Sequence, residues 1–364
     1  MGVTGIKYAA GGLVLLLTTA CGASASPRAE TAPAPLLAGI DIDRPDAKSG
    51  PVTLAFAGDV HFQLQVAELI KDQRGLGPMA HSLATADVAM VNLETAITDR
   101  GVPDPKNLED AWDRYWFRAP ATALDFLADA GVDIVSVANN HGADYGRVGL
   151  QDTLRAGRTG PLAMVGAGSD RQEAFTPHRV TVRGTELTIF GADASPLEST
   201  EDVWRAGRRT PGLADAHEPR PRALLAAVRR ADREADVVVV YLHWGEELQA
   251  CPTDGQRTTA RALARAGADV VVGSHAHVLL GSGWQGDAYV NYGLGNFVWY
   301  HDQQPETGVL RLRVEDGKVV SDEWVPAEIG TWGRPQPLSG DDRKAEIADW
   351  RGLRGCAGLA DKTG

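Results

Sequence analysis

The sequence predicts an α/β fold with a largely parallel sheet, and two features of the chain support this. Short apolar runs typical of strands alternate with segments of helical spacing, beginning with 52–57, 88–91 and 121–130. Paired apolar runs also flank Arg183-Gly184 and Asp316-Gly317, dipeptides that favour hairpins. The alternation indicates parallel strands, and the added hairpins indicate a mixed sheet or two sheets packed face to face.

The predicted elements follow in a regular order along the chain. Several apolar, β-branched runs end at a polar cluster, which marks the end of a strand. The predicted strands are 52–57, 88–91, 134–138, 162–165, 180–182, 187–190, 237–242, 270–272, 288–292, 309–314 and 319–324. The predicted helices are 121–130, 148–156, 222–230 and 258–266.

Residues 1–20 have the pattern of a secretory signal peptide. One cation, Lys7, precedes an apolar run that is shorter than the roughly 20 residues of a membrane span. The run ends in Leu17-Thr18-Thr19-Ala20-Cys21, which resembles a bacterial lipobox, so Cys21 is expected to be the lipidated first residue of the mature protein. The alternative is plain secretion, with Cys21 discarded or free. Residues 21–50 are expected to form a tether that holds the protein outside the cytoplasm at the cell membrane.

Residues 51–325 are expected to form the main domain, and 326–364 a C-terminal extension with weak periodicity. If Cys21 carries lipid, Cys251 and Cys356 remain as an even pair in an oxidising compartment. We expect a disulfide between them that ties the extension to the domain. The alternative is two buried free thiols.

The formal net charge of −12 bears on possible partners. An acidic surface disfavours nucleic acid and anionic lipid as electrostatic partners. Binding of any polyanion would therefore depend on a local source of positive charge, such as bound metal ions.

Polar side chains follow five of the predicted strands, at the edge where ligands bind in open α/β sheets. Imidazole nitrogen and carboxylate oxygen suit transition metals such as Zn, Fe and Mn. Seven ligands are too many for one tetrahedral zinc, and they suit two ions that share a carboxylate and a water. These residues are Asp59, His61, Glu94, Asn140, His243, His275 and His277.

The order of these residues resembles a known family. The motifs Gly58-Asp59-Val60-His61, Asn140-His141, His243 and Gly273-Ser274-His275-Ala276-His277 follow the pattern of calcineurin-like metallophosphatases. More closely, Val91-Asn92-Leu93-Glu94-Thr95, His243-Trp244-Gly245-Glu246-Glu247 and Tyr292-Gly293-Leu294-Gly295-Asn296-Phe297 resemble the CapA family. That family is associated with bacterial poly-γ-glutamate capsule synthesis, and the resemblance extends over about 52–325.

The resemblance implies a calcineurin-like metallophosphatase fold, a mixed β-sandwich flanked by helices in four layers, α-β-β-α. It also implies two divalent transition-metal ions, Mn, Fe or Zn. Two departures stand out. His61 replaces the Met usual in CapA proteins, which favours full occupancy of both metal positions. Asn92-Leu93-Glu94 replaces the Gly-Asp-x-x-Asp of phosphoesterases, and Glu94 is expected to be the bridging carboxylate. The implied ligands are Asp59, His61, Glu94 and His277 for one ion, and Glu94, Asn140, His243 and His275 for the other.

The resemblance also suggests catalytic and substrate-binding residues. His141 corresponds to the histidine that assists the leaving group, and Asp144 would either orient its ring or cap the following helix. Arg118 and Asn296 are weaker candidates for substrate binding, and Arg118 is equally compatible with an ordinary surface position.

Two functions remain open from the sequence. The first is a metal-dependent hydrolase at the cell surface that cleaves phosphoester or γ-glutamyl amide bonds. The second is a non-catalytic lipoprotein that binds and guides an anionic capsule polymer. A membrane-anchored nuclease rests on fold analogy alone, and the acidic charge disfavours it.

Overall fold

A computed structural model of the chain describes residues 50–71, 75–199, 204–217, 221–300 and 303–361. The predicted signal peptide, Cys21 and nearly all of the predicted tether lie outside these residues. Within them, no helix has both the length and the apolar character needed to cross a bilayer.

Strands and helices alternate along most of the described residues. The strands are β1 Val52–Val60, β2 Val88–Leu93, β3 Ala96–Ile97, β4 Arg118–Ala119, β5 Ile134–Ser136, β6 Ala163–Val165, β7 Ala167–Gly168, β8 His178–Val182, β9 Thr185–Ala194, β10 Gly212–Leu213, β11 Val237–Trp244, β12 Val270–His275, β13 Ser282–Gln285, β14 Ala288–Asn291, β15 Asn296–Val298, β16 Glu306–Glu315, β17 Lys318–Ile329 and β18 Pro335–Pro337. The α-helices are α1 Ala80–Ala84, α2 Thr122–Asp129, α3 Gly146–Thr159, α4 Arg171–Ala174, α5 Arg222–Ala231, α6 Asp254–Arg265, α7 Gly340–Gly352 and α8 Arg354–Ala357. The segments Leu64–Lys71 and Gly77–Met79 are 3₁₀ helices.

Two large mixed sheets form the centre of the fold. The first has the order β18-β17-β16-β1-β2-β5-β6, with β15 also paired to β1. Its β1, β2, β5 and β6 are parallel, whereas β16, β17 and β18 pair antiparallel. The second sheet has the order β13-β14-β12-β11-β9-β8, in which β9, β11, β12 and β14 are parallel. The mixed α/β architecture predicted from the sequence is confirmed.

Alternate residues of β1 face opposite sides of the first sheet, as the pleat of a strand requires. Leu54 and Phe56 belong to an apolar cluster that includes Val239 and Val272 of the second sheet, so the two sheets pack face to face. Ala55 and Ala57 belong to a cluster with residues of α1, α2 and α3 on the outer face. Helices α5 and α6 cover the other face of the second sheet in the same way. These contacts give the four layers α-β-β-α.

Three strands extend further than the sequence predicted. The strand β1 continues to Val60, β11 to Trp244 and β12 to His275. Backbone pairing persists there, with Asp59 opposite Asn296 and His243 opposite Ser274. Asp59, His243 and His275 therefore lie within their strands rather than in the turns that follow, which fixes their backbones more firmly.

The C-terminal segment packs against the main domain. The strand β17 crosses the boundary expected at 325, and β18 pairs with it. In α7, which the sequence did not predict, Trp350 stacks on Trp324 of β17 with ring centroids 5.4 Å apart. A disulfide joins Cys251 to Cys356, whose Cα atoms lie 5.6 Å apart. This segment is therefore held to the domain by pairing, by packing and by a covalent bond.

Candidate metal centre

The two sheets meet close to the polar ends of β1, β2, β11 and β12. The Tyr241 hydroxyl of β11 donates a hydrogen bond to the Ala57 carbonyl of β1 at 2.8 Å. A Cβ atom at Gly58 would lie 1.9 Å from the Gly295 carbonyl oxygen, so only glycine permits this close approach. The result is that carboxylates and imidazoles from both sheets face one small volume.

The first group of candidate ligands contains Glu94, His243 and His275, with ligand atoms within 4.8 Å of one another. The Nε2 atom of His243 lies 3.4 Å from Glu94 Oε1 and 3.1 Å from His275 Nδ1. The Oδ1 atom of Asn140 lies 2.8 Å from the same His243 nitrogen. The four residues expected around the second ion are therefore brought together.

The second group contains Asp59, Glu94 and His277, again within 4.8 Å of one another. The Nδ1 atom of His277 lies 3.6 Å from Asp59 Oδ2. Glu94 belongs to both groups, which is the position expected of a bridging carboxylate. The shared glutamate links the two sets of ligands into one centre.

His61, expected with this second group, is not part of it. Its Nδ1 atom lies 3.1 Å from the Gln63 backbone N–H, which donates to it. Its ring stacks on Phe117 with centroids 4.4 Å apart and contacts the edges of Trp299 and Tyr300. The aromatic residues around it account for this placement, because they pack both the face and the edges of the imidazole.

The buried polar atoms of the centre fit bound cations. Glu94 is fully buried, and within the described ranges neither of its oxygens has a hydrogen-bond partner. The same holds for Nε2 of His275, a residue that is 3% exposed. A buried carboxylate or imidazole without a partner is costly. Divalent ions would offset this cost, and mixed nitrogen and oxygen donors suit transition metals.

Burial also shifts the pKa values of the ionisable groups in the centre. Burial, and then the charge of Glu94, raises the pKa of Asp59 to about 7. Burial also raises the pKa of Glu94 well above its usual value and lowers the pKa values of His243 and His275. Each shift disfavours the charged form, because burial removes the water that would otherwise solvate it.

His141 lies beside the centre in a network of buried charges. Its Nε2 atom is 3.9 Å from Glu94 Oε1, and its Nδ1 atom is 2.6 Å from Asp144 Oδ2. Asp144 also accepts a hydrogen bond from the Phe117 backbone N–H and contacts Lys106 Nζ at 2.9 Å. The following helix, α3, has no side-chain cap, so these contacts favour the orienting role of Asp144 over the capping role.

A second branch of this network reaches Asn140. Lys106 Nζ lies 2.5 Å from Glu198 Oε2, and the other oxygen of Glu198 accepts a hydrogen bond from Asn140 Nδ2 at 2.7 Å. This bond directs Oδ1 of Asn140 towards His243. The carboxamide is therefore held with its oxygen, the atom that binds metal, facing the centre.

The two weaker candidates for substrate binding have other contacts. The Arg118 guanidinium lies 4.8 Å above the ring of Tyr145, and Arg118 does not line the cleft over the centre. Asn296 is buried, and its Oδ1 atom lies 2.8 Å from His277 Nδ1. Asn296 therefore orients a candidate ligand.

A cleft of about 440 Å³ opens over the centre. Its lining includes His141, His275 and His277 together with aromatic residues such as Trp299 and Tyr300. Five carboxylate residues also line it, and no lysine or arginine does so within the described residues. The acidic residues are Glu109, Asp113, Glu198, Glu246 and Glu247.

Sequence reasoning missed Lys106 and Glu198. Lys106 lies in a loop without a recognisable motif and with a positive φ of 40°. Glu198 lies in another loop, far from Lys106 along the chain. No local pattern signals that two such loops meet, since their contact depends on the tertiary fold.

Comparison with known proteins identifies the family. The profile of the bacterial capsule synthesis protein family PGA_cap matches residues 53–301. The chain is 30% identical over 255 residues to the PGA biosynthesis protein CapA of Bacillus subtilis (strain 168), covering 68% of this chain and 63% of that protein. It is 27% identical over 304 residues to the capsule biosynthesis protein CapA of Bacillus anthracis, covering 79% and 70%. The match thus spans slightly less than two thirds of the B. subtilis protein.

Among solved structures, a phosphatase from Mycoplasma pneumoniae matches with a TM-score of 0.47 and 12% identity, covering 77% of this chain and 94% of that one. The family profile covers well over half of the chain and contains every strand end that carries a candidate ligand. This chain belongs to the bacterial capsule synthesis protein family PGA_cap.

Proposed function

We propose that this protein is a cell-surface lipoprotein of the CapA type, and that it acts in the biosynthesis or processing of a poly-γ-glutamate capsule as a hydrolase with two metal ions. One observation carries the proposal. Glu94 is fully buried, belongs to both groups of candidate ligands, and has no hydrogen-bond partner for either oxygen within the described residues. A carboxylate in this position suits a bridge between two cations.

The ligands would divide between the two ions. Asp59, Glu94 and His277 would hold one ion, and Glu94, Asn140, His243 and His275 the other. Two divalent ions such as Mn, Fe or Zn would provide Lewis acidity and lower the pKa of water. The surrounding carboxylates and imidazoles fit that chemistry better than they fit a centre without metal.

His141 would move a proton at the edge of the centre. It lines the cleft, and Asp144 holds its Nδ1 so that Nε2 faces the centre. Burial and the Lys106 ammonium lower the pKa of His141 well below its usual value. The neutral ring is therefore favoured in the free protein, and during turnover Nε2 would accept a proton and return it to the leaving group.

The second candidate is an accessory lipoprotein that binds and guides the capsule polymer without turnover. It is favoured by the names of the relatives, which describe biosynthesis and no hydrolytic reaction. An anionic polymer would meet an acidic cleft, so bound metal ions would be needed as its contact in this case also.

A paired assay separates the two candidates. Metal-loaded protein would be tested on phosphodiesters and on γ-glutamyl peptides, beside Glu94→Gln and His243→Ala. The hydrolase proposal expects turnover in the wild type, with metal and activity lost together in both variants. If fully loaded wild type cleaves neither substrate class, the hydrolase proposal is wrong and the accessory role remains.

The lipid anchor has its own test. With Cys21 as the lipidated residue, Cys21→Ala or globomycin treatment should leave the precursor uncleaved or release the protein from the membrane. A Cys21→Ala variant that still sediments with membranes at the mature size would contradict the anchor.

A further inference from the structure

The loop after β11 brings a third carboxylate to the centre. Gly245 has a φ of 103°, which turns the chain sharply after Trp244. Three residues later, the Leu248 backbone N–H donates to the Ala276 carbonyl at 2.8 Å, between His275 and His277. This hydrogen bond fixes the loop against the segment that carries His275 and His277, so that Glu247 lies beside that segment.

Glu247, His275 and His277 form a third group whose ligand atoms lie within 4.8 Å of one another. The Oε1 atom of Glu247 is 4.0 Å from His277 Nε2, which is too long for a hydrogen bond. Asn296 lies 2.8 Å from the other nitrogen of that ring. The His277 ring thus has Asn296 beside Nδ1 and Glu247 on the side of Nε2. Many metal-bound histidines have such a hydrogen-bond partner on the nitrogen that does not bind the metal.

His275 supplies a second observation that points to a bound ligand. It is 3% exposed and lines the same cleft, and its Nε2 atom has no hydrogen-bond partner within the described part of the chain. Its other nitrogen faces His243. Its backbone φ of 93° and that of 57° at His277 are unusual for residues with side chains, as is common where a site holds strained geometry.

The negative charge around Glu247 favours a bound cation. The cleft is lined by five carboxylate residues and, among described residues, by no lysine or arginine. The buried ammonium of Lys106 already forms ion pairs with Asp144 and Glu198. Among the described residues that line the cleft, Glu247 therefore has two imidazoles nearby, and no lysine or arginine is present to neutralise its charge.

We propose that Glu247 is a metal ligand: beside His275 and His277, which the proposed centre divides between its two ions, it binds one of those two divalent cations on the side that faces the cleft. This inference rests on the proposed metal centre and adds to it a carboxylate outside the predicted ligand set. It gives the centre a third acidic ligand at the side that faces the cleft, while His61 is packed among aromatic rings.

The test compares two adjacent substitutions, Glu247→Gln and Glu246→Gln. Both residues are exposed glutamates that line the cleft, so each substitution removes one negative charge from the same place without burying a new group. Only Glu247 belongs to a ligand group. Mn²⁺ would be titrated calorimetrically into metal-stripped protein, and bound metal would be counted by elemental analysis, with thermal melting as the check on folding.

We expect Glu247→Gln to lose one class of bound Mn²⁺ or to weaken it at least about tenfold, the lower end of the effect seen even for outer partners of metal ligands. Glu246→Gln should titrate like the wild type. Equal Mn²⁺ binding by the two variants, whether unchanged or weakened in both, would overturn the assignment of Glu247. It would leave intact the inner centre, which consists of the two ligand groups that share Glu94. A wild type that binds no metal would overturn the inner centre as well.

Discussion

Lys106 is the buried cation that connects the candidate acid–base residue to a candidate metal ligand. Its side chain is 2% exposed and contacts Asp144, next to His141, and Glu198, next to Asn140. Burial alone would lower the pKa of this lysine, but the two carboxylates outweigh burial and raise it. The ammonium therefore stays charged and holds both carboxylates in place.

Replacement of Lys106 by Met should be strongly destabilising, because two carboxylates would lose their buried partner. Breaking a buried ion pair typically costs about 3–5 kcal/mol of the free energy of unfolding. The matched control is Lys71→Met, since Lys71 pairs with Glu68 on the surface, where such a pair is worth at most about 1 kcal/mol. Urea unfolding of both variants measures the difference, and equal losses would contradict the network.

His141→Ala should reduce turnover without emptying the centre. Proton transfer by a positioned side chain typically contributes about 10²–10⁴-fold to the rate. We expect a loss in that range with the wild-type metal content, and a smaller loss for Asp144→Asn, which disturbs only the orientation of the ring. Initial rates and elemental analysis on the same samples check this. Loss of metal from His141→Ala would show that the residue is a ligand and not a proton-transfer group.

Many of the individual residues of the centre could be predicted from the sequence. Asp59 and Glu94 lie at the ends of neighbouring parallel strands in the first sheet, and His243, His275 and His277 lie at the ends of neighbouring parallel strands in the second. Within each sheet, parallel geometry brings such residues together. His61 shows the limit of that reasoning, since its ring packs on Phe117, a residue far along the chain. Lys106 and Glu198 lie in loops, so their contacts depend on loop conformation that no periodic pattern encodes.

Helix α7 is the element that ties the C-terminal segment to the first sheet. Trp350 is its one buried residue and stacks on Trp324 of β17. Arg354, at the start of α8, lies 5.5 Å above the Trp350 ring and pairs with Asp322 of the same strand. The main anchor of this helix is therefore one aromatic side chain, with Ile347 partly buried against the same cluster.

Removal of that ring should destabilise the protein measurably. Trp→Ala at a buried position typically costs about 3–5 kcal/mol, and we expect Trp350→Ala to lie in this range. Trp332→Ala is the control, because Trp332 is 62% exposed and surface changes are usually within about 0.5 kcal/mol. Denaturant unfolding measures both. Similar effects of the two substitutions would show that α7 is not anchored through Trp350.

The pattern of buried apolar residues separates the elements that the sequence predicts from α7, which it does not predict. Strands such as β1 and β11 are buried on both faces, so they appear in the sequence as continuous apolar runs. The helices α5 and α6 carry an apolar face towards the second sheet. With a single buried tryptophan, α7 has almost no helical periodicity of apolar residues, so no pattern in the sequence predicts it.

At the scale of the whole molecule, two sheets from distant parts of the chain enclose one centre. The first sheet supplies Asp59 and Glu94, and the second supplies His243 and His275, so neither sheet alone carries the full set of ligands. The chain has a net charge of −12, and its cleft is acidic. The bound cations would therefore be the local positive charge on which contact with an anionic capsule polymer depends.

The metal content of purified protein tests this account most directly. After loading with Mn²⁺ or Zn²⁺ and removal of excess metal, elemental analysis should find about two ions per chain, because the ligand groups that share Glu94 suit two transition-metal ions. Glu94→Ala should lose both ions together, since the carboxylate serves both groups. Less than about half an ion per chain in the loaded wild type would contradict the dinuclear centre.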